Sequence, residues 1–265
     1  ASDVYKRQMY TLCGKDRIHP STDGHLVMAY LFLKAQGLAG KPVADIRIDG
    51  AGKKVTRSDN CRVSDLSVSS DNLTFTYEAK SLPYPIDTSY YDNEKHTQAD
   101  ALSVIPFMDE MNYEGLSVSG LSDGYYGLTI GREFIGRFTA RELERGINMA
   151  LLQNTPQYKQ AMKIRQMNEE RWLKERKMRE FYWVEYNLMR KTGMLWACNE
   201  AAVDTLRKYR PHDIFLQWNG DLWLQYMHKG IREDCVNEQQ DLVNQIYEQN
   251  KPIPLRIEIK KFTDL

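Results

Sequence analysis

The chain has 265 residues, enough for one or two domains that fold on a core of their own. Lys plus Arg number 36 and Asp plus Glu number 36, so the net charge is zero, which argues against a nucleic-acid binder resting on a basic surface. A hydrophobic share of 42% excludes general disorder, and no apolar run reaches the length of a membrane span.

The opening "ASDVYKRQ" has neither an initiator Met nor the character of a leader. Residues 3–8 look like the translation of a transposon end used to fragment DNA for sequencing. Residues 1–8 are therefore read as an adapter artefact joined to an open frame already in progress, with native sequence resuming near Met9.

Residues 9–42 hold one expected helix, over 21–36. Ser21 is a suitable N-cap, and Gly37 stands where a C-terminal glycine belongs. The interior "LVMAYLFL" is apolar on every face, and such a helix must be covered all round, as on the flank of a parallel sheet.

Residues 43–138 change character and predict an antiparallel β region. Ala44, Ile46 and Ile48 alternate with Asp45, Arg47 and Asp49, and "DGAG" follows as a hairpin turn. Leu73, Phe75, Tyr77 and Ala79 alternate with Thr74, Thr76, Glu78 and Lys80, the pattern of a half-buried strand. Pro83 and Pro85 cannot continue a ladder and end it. A short helix or ordered loop is expected over 99–112, and strands near 116–118, 125–130 and 134–138.

Residues 139–250 predict a helical region. Thr139 and Glu142 have the spacing of a capping box, opening a helix to about residue 152. Thr155 and Pro156 open a long helix that runs to about 191 and stops at Gly193. Its charged middle pairs Glu170 with Lys174 and Glu175 with Arg179, each contributing roughly 0.2–0.5 kcal/mol. Further helices are expected at about 198–209, 212–229 and 233–249. Residues 251–265 then supply a closing strand in which Leu255, Ile257 and Ile259 alternate with charges. The whole is an α+β chain.

The chemistry-bearing residues are few. Cys13, Cys61, Cys198 and Cys235 are scattered without metal-ligand spacing and read as free thiols or at most an occasional disulfide. The stretch "KDRIHPSTDGH" places Asp16 three residues before His19. A carboxylate bonded to one imidazole nitrogen fixes the tautomer and leaves the other nitrogen free to take a proton from a nucleophile. On spacing alone, a solvated loop or a helix-capping network is the stronger reading. A metal site from Asp16, His19 and His25 lacks a third strong ligand at usable spacing. His96, His212 and His228 are isolated and read as surface or capping residues. Trp196, Trp218 and Trp223, with Tyr84, Tyr90 and Tyr91, invite a sugar-stacking role, but aromatics spaced through helices read first as core.

"DRIHPSTDGHLVMAYLFLKAQGL" resembles the last sequence block of the SGNH, or GDSL, hydrolases, in which Asp-x-x-His-Pro precedes a Gly-His pair and an apolar helix. "LPYPID", "GRFTARELERGINMA" and "NKPIPLRIEI" resemble the C-terminal extension of some bacterial members. The resemblance implies that His19 is the catalytic histidine, that Asp16 orients it, and that His25 has no triad role. It further implies that residues 9–42 are the remnant of a flavodoxin-like α/β/α hydrolase domain, and that no metal or organic cofactor takes part. A small ester or acylated carbohydrate would be the substrate, and a periplasmic or secreted setting is favoured. The family's Gly-Asp-Ser nucleophile block and its oxyanion-hole glycine and asparagine have no match here. Losing one triad member leaves about 10³–10⁴-fold acceleration over water from the oxyanion hole and binding. With those donors missing too, the chain by itself is expected to be inactive. The competing expectation is a non-catalytic binding or oligomerisation module.

Overall fold

A computed structural model describes residues 10–13, 17–88 and 96–262. The chain divides into two compact units, residues 1–162 with 251–265, and residues 163–250. Among the described residues no helix is long and apolar enough to cross a membrane.

The first unit opens with helix α1, Thr22–Ala35. Its end follows from Gly37, whose φ of 73° is open to glycine and costly for other residues. Gly37 N–H donates to Lys34 O and Leu38 N–H to Leu33 O, the paired bonds that close a helix at a left-handed residue. Leu26, Val27 and Tyr30 are buried against Ile86, Ala101, Ile105, Phe107 and Met108. Met28, Leu31 and Phe32 are exposed, so the apolar helix is covered on one face among the described residues, not all round.

The β elements are β1 (Ala44–Asp49), β2 (Lys54–Asp59), β3 (Cys61–Val68) and β4 (Asn72–Ala79). A 3-10 helix (Gln98–Ser103), helix α2 (Phe107–Glu110) and strands β5 (Glu114–Ser119), β6 (Tyr125–Ile130) and β7 (Glu133–Thr139) follow. Helix α3 (Ala140–Arg145) and the short β8 (Ile147–Asn148) complete this run, and the late strand β9 (Leu255–Lys261) returns to it. One sheet has the order β2-β1-β5-β8 and the other β3-β4-β9-β6-β7. Ile46, Ile48, Leu116 and Val118 from the first share one core with Leu73, Phe75, Leu128, Ile130, Ile257 and Ile259 from the second. These are the alternating positions of half-buried strands, each giving one face to the core.

The β region is not wholly antiparallel. β1 pairs with β5 in parallel, Ile46 opposite Leu116 and Ile48 opposite Val118. The intervening chain crosses to the other sheet as β3 and β4 and returns through the short helices, so it re-enters beside β1 in the same direction. Asp45 is buried despite its place among the alternating charges, held by Arg57 at 2.9 Å and Arg47 at 3.1 Å.

The capping box forms: Thr139 N–H donates to Glu142 Oε2 at 2.7 Å and Glu142 N–H to Thr139 Oγ1 at 3.2 Å. The helix it opens stops at Arg145, short of the expected 152. Gly146 turns with φ 94°, and the next two residues pair with β5 instead. Helix α4 (Pro156–Val184) runs from the first unit into the second.

In the second unit α4 ends in a π-helical turn, Glu185–Met189, followed by α5 (Glu200–Tyr209), α6 (Ile214–Tyr226) and α7 (Lys229–Gln249). The expected pairs are present, Glu170 to Lys174 at 3.8 Å and Glu175 to Arg179 at 3.2 Å. The core joins Phe181, Val184 and Met189 to Leu206, Leu216, Trp223 and Cys235. Trp223 is fully buried, as a core reading requires, whereas Trp196 and Trp218 are exposed. Tyr90 and Tyr91 lie outside the described residues.

Candidate functional site

The stretch carrying His19 is pinned at its base. Cys13 and Pro20 form an isolated antiparallel bridge, and Ser21 N–H donates to Leu12 O at 3.2 Å. Gly24 makes this approach possible, because a Cβ there would overlap the Leu12 carbonyl oxygen. The chain therefore leaves the bridge, returns to it, and enters α1 at once. His19 is exposed on the returning side, two residues ahead of the N-cap position. Asp16, its expected partner, lies outside the described residues. His25 is exposed in the first turn of α1, its N–H donating to Ser21 O at 2.9 Å.

The helix start is organised by an aspartate that sequence reasoning passed over. Asp23 is 2% exposed and accepts a hydrogen bond from Ser21 Oγ. A carboxylate in the first turn is favoured by the unpaired N–H groups there. Ser21 thus serves the helix through Asp23 and makes no side-chain cap of its own. His96 Nδ1 lies 3.4 Å from Asp23 Oδ1. Burial, and then the negative charge of Asp23, push the Tyr10 phenol well above its ordinary range.

Tyr10, Asp23 and His96 line a cleft of about 600 Å³ with Thr11, Asp100 and Ser103. One wall is the 3-10 helix, fixed by Asp100, which accepts from Thr97 N at 2.7 Å and from Thr97 Oγ1 at 3.2 Å. Tyr10 and Thr11 precede the His19 stretch and Asp23 follows it, so the cleft opens where that stretch is anchored. Its volume falls within the usual range of small-molecule pockets, and its lining is mainly polar. His96 is a site residue read from sequence as an isolated surface histidine. No spacing could have found it, since its partner Asp23 lies on a distant helix. Among the described residues no cluster of three or more His, Cys, Asp or Glu could hold a metal ion.

Residues 162–251 match a family described as the diltiazem deacetylase C-terminal helical domain. The structure is similar to that of a gut microbial diltiazem-metabolizing enzyme, with a TM-score of 0.90 and 39% sequence identity. That similarity covers 98% of this chain and 60% of the other, so the chain spans about three-fifths of its relative's length. No curated protein matches. The chain is thus similar to a diltiazem-metabolizing enzyme over nearly its whole length and to a diltiazem deacetylase helical domain over residues 162–251, and its fold is α+β.

Proposed function

We propose that this chain is the C-terminal part of a serine ester hydrolase of SGNH type, with His19 as general base and Asp16 as the carboxylate that orients it. In the reaction a serine hydroxyl attacks the ester carbonyl while His19 takes its proton. His19 then returns the proton to the departing alcohol, and water resolves the acyl-enzyme by the same route. The observation that carries the reading is the "DRIHPSTDGH" block, in which His19 is exposed beside the Cys13–Pro20 bridge and directly ahead of α1. The similarity to a diltiazem-metabolizing enzyme supports an ester substrate, with acetyl as the acyl group favoured by the name of the matched helical domain. The substrate would be an acylated carbohydrate or another small ester.

No Gly-Asp-Ser block occurs in these residues, so the nucleophile and oxyanion donors would come from a longer parent. Support for a longer parent comes from the extent of the match, 60% of the related chain. The test is active-site labelling with a fluorophosphonate, followed by peptide mapping. The reading expects a labelled serine in the parent enzyme outside these residues, with 4-nitrophenyl acetate turnover lost on labelling, and no label on this chain alone. A label on a serine of this chain would overturn it.

A further inference from the structure

The four thiols differ sharply in setting. Cys61 and Cys235 are buried, and burial pushes the Cys61 thiol up and away from reactivity. Cys13 is half-buried, and its Sγ points to Ile18 O at 3.8 Å. Cys198 is exposed, and its Sγ lies 3.4 Å from Nδ1 of His228, which is exposed as well.

The backbone around this pair adds to the contact. Cys198 immediately precedes Asn199, the N-cap of α5, whose side chain accepts from Ala202 N at 3.0 Å. His228 is itself the N-cap of α7, and its side chain makes no capping bond, leaving the imidazole for the thiol. Two helix starts, of ten and twenty-one residues, therefore meet through these two side chains. Glu200, at the start of α5, pairs with Arg207 at 3.0 Å, and Glu233 of α7 pairs with Lys229 at 3.2 Å.

We propose that Cys198 and His228 form a reactive thiol site, open to covalent modification by soft carbon electrophiles. The Cys198 sulfur attacks the electrophilic carbon, a sulfur–carbon bond forms, and the bond from that carbon to its leaving group breaks. The thiol proton passes to His228 Nδ1 and then to solvent, restoring the neutral imidazole. The inference does not depend on the esterase reading.

The test is brief alkylation of the whole chain with iodoacetamide at neutral pH, with each cysteine quantified by peptide mass mapping. Cys198 should label about tenfold faster than free N-acetylcysteine under the same conditions, and His228→Gln should slow it by a similar factor with Cys13 unchanged. Cys198→Ser should remove the fast-labelling peptide. A Cys198 rate no greater than that of N-acetylcysteine, or a rate indifferent to His228→Gln in a folded variant, would overturn the proposal. Labelling at Cys61 and Cys235 reports unfolding of the variant, and in that event the comparison with N-acetylcysteine decides alone.

Discussion

Tyr77 donates a 2.8 Å hydrogen bond to Glu114 inside the core of the first unit, where neither side chain reaches solvent. Gln157 Nε2 approaches the same carboxyl at 3.2 Å, and Gln157 Oε1 is buried without a partner of its own. Burial pushes the Glu114 carboxyl up to about 7 from 4.5, against the opposing pull of the two donors. A protonated acid suits this setting, since turning the Gln157 amide over would bring its unpaired Oε1 against the proton.

A pH dependence of stability follows. The folded-state value is raised, so the advantage of keeping Glu114 neutral is complete below about 4.5 and is lost as pH rises through about 7. The loss amounts to about 3 kcal/mol at most. Glu114→Gln keeps the shape and removes the titration. Urea unfolding between pH 4 and pH 8 should show stability falling with pH in the wild type and a flatter profile in the variant. Parallel profiles would contradict the assignment.

In the second unit Glu185 plays a different part. Its two oxygens accept from Trp223 Nε1 and from Trp196 N, each at 2.8 Å, and the residue is almost fully buried in the π-helical turn. Trp196 holds a φ of 62°, unusual for a bulky side chain, and its bond to Glu185 helps to fix that backbone. Glu185→Ala leaves an indole N–H buried without a partner and should destabilise the unit by about 1–3 kcal/mol. Tryptophan fluorescence during unfolding measures this, and an unchanged midpoint would contradict it.

Gly24→Ala tests the anchoring of the His19 stretch. The added methyl meets the Leu12 carbonyl, so either that segment lifts from α1 or the helix start shifts. A cost of about 1–3 kcal/mol is expected. Amide hydrogen exchange should quicken at Ser21, whose N–H is bonded to Leu12 O. Protection equal to wild type at Ser21 would show that the close approach is not required.

What the sequence made legible was local. β4 and β9 announced themselves by alternation, and they pair directly, Phe75 opposite Ile257. The capping box at Thr139 and the glycine at 37 acted through bonds to residues only a few positions away. Features that depend on distant partners were not legible. The parallel pairing of β1 with β5 depends on the route of the chain between them. The π-helical turn arises where Glu185 bonds to two tryptophan residues beyond its own helix. Within the candidate site, the turn before α1 was readable from "HPSTDGH", yet the meeting of Asp23 with His96 was not, because nothing near either residue marks the other.

The proton-transfer role of His19 is the central claim, and steady-state kinetics of the longer parent enzyme test it most directly. The measurement is kcat/KM for 4-nitrophenyl acetate in the parent, in His19→Ala and in Asp16→Asn. The account predicts a fall of about 10⁴-fold or more in each variant, carried by kcat. Activity of the His19→Ala enzyme within a few-fold of the parent would contradict it.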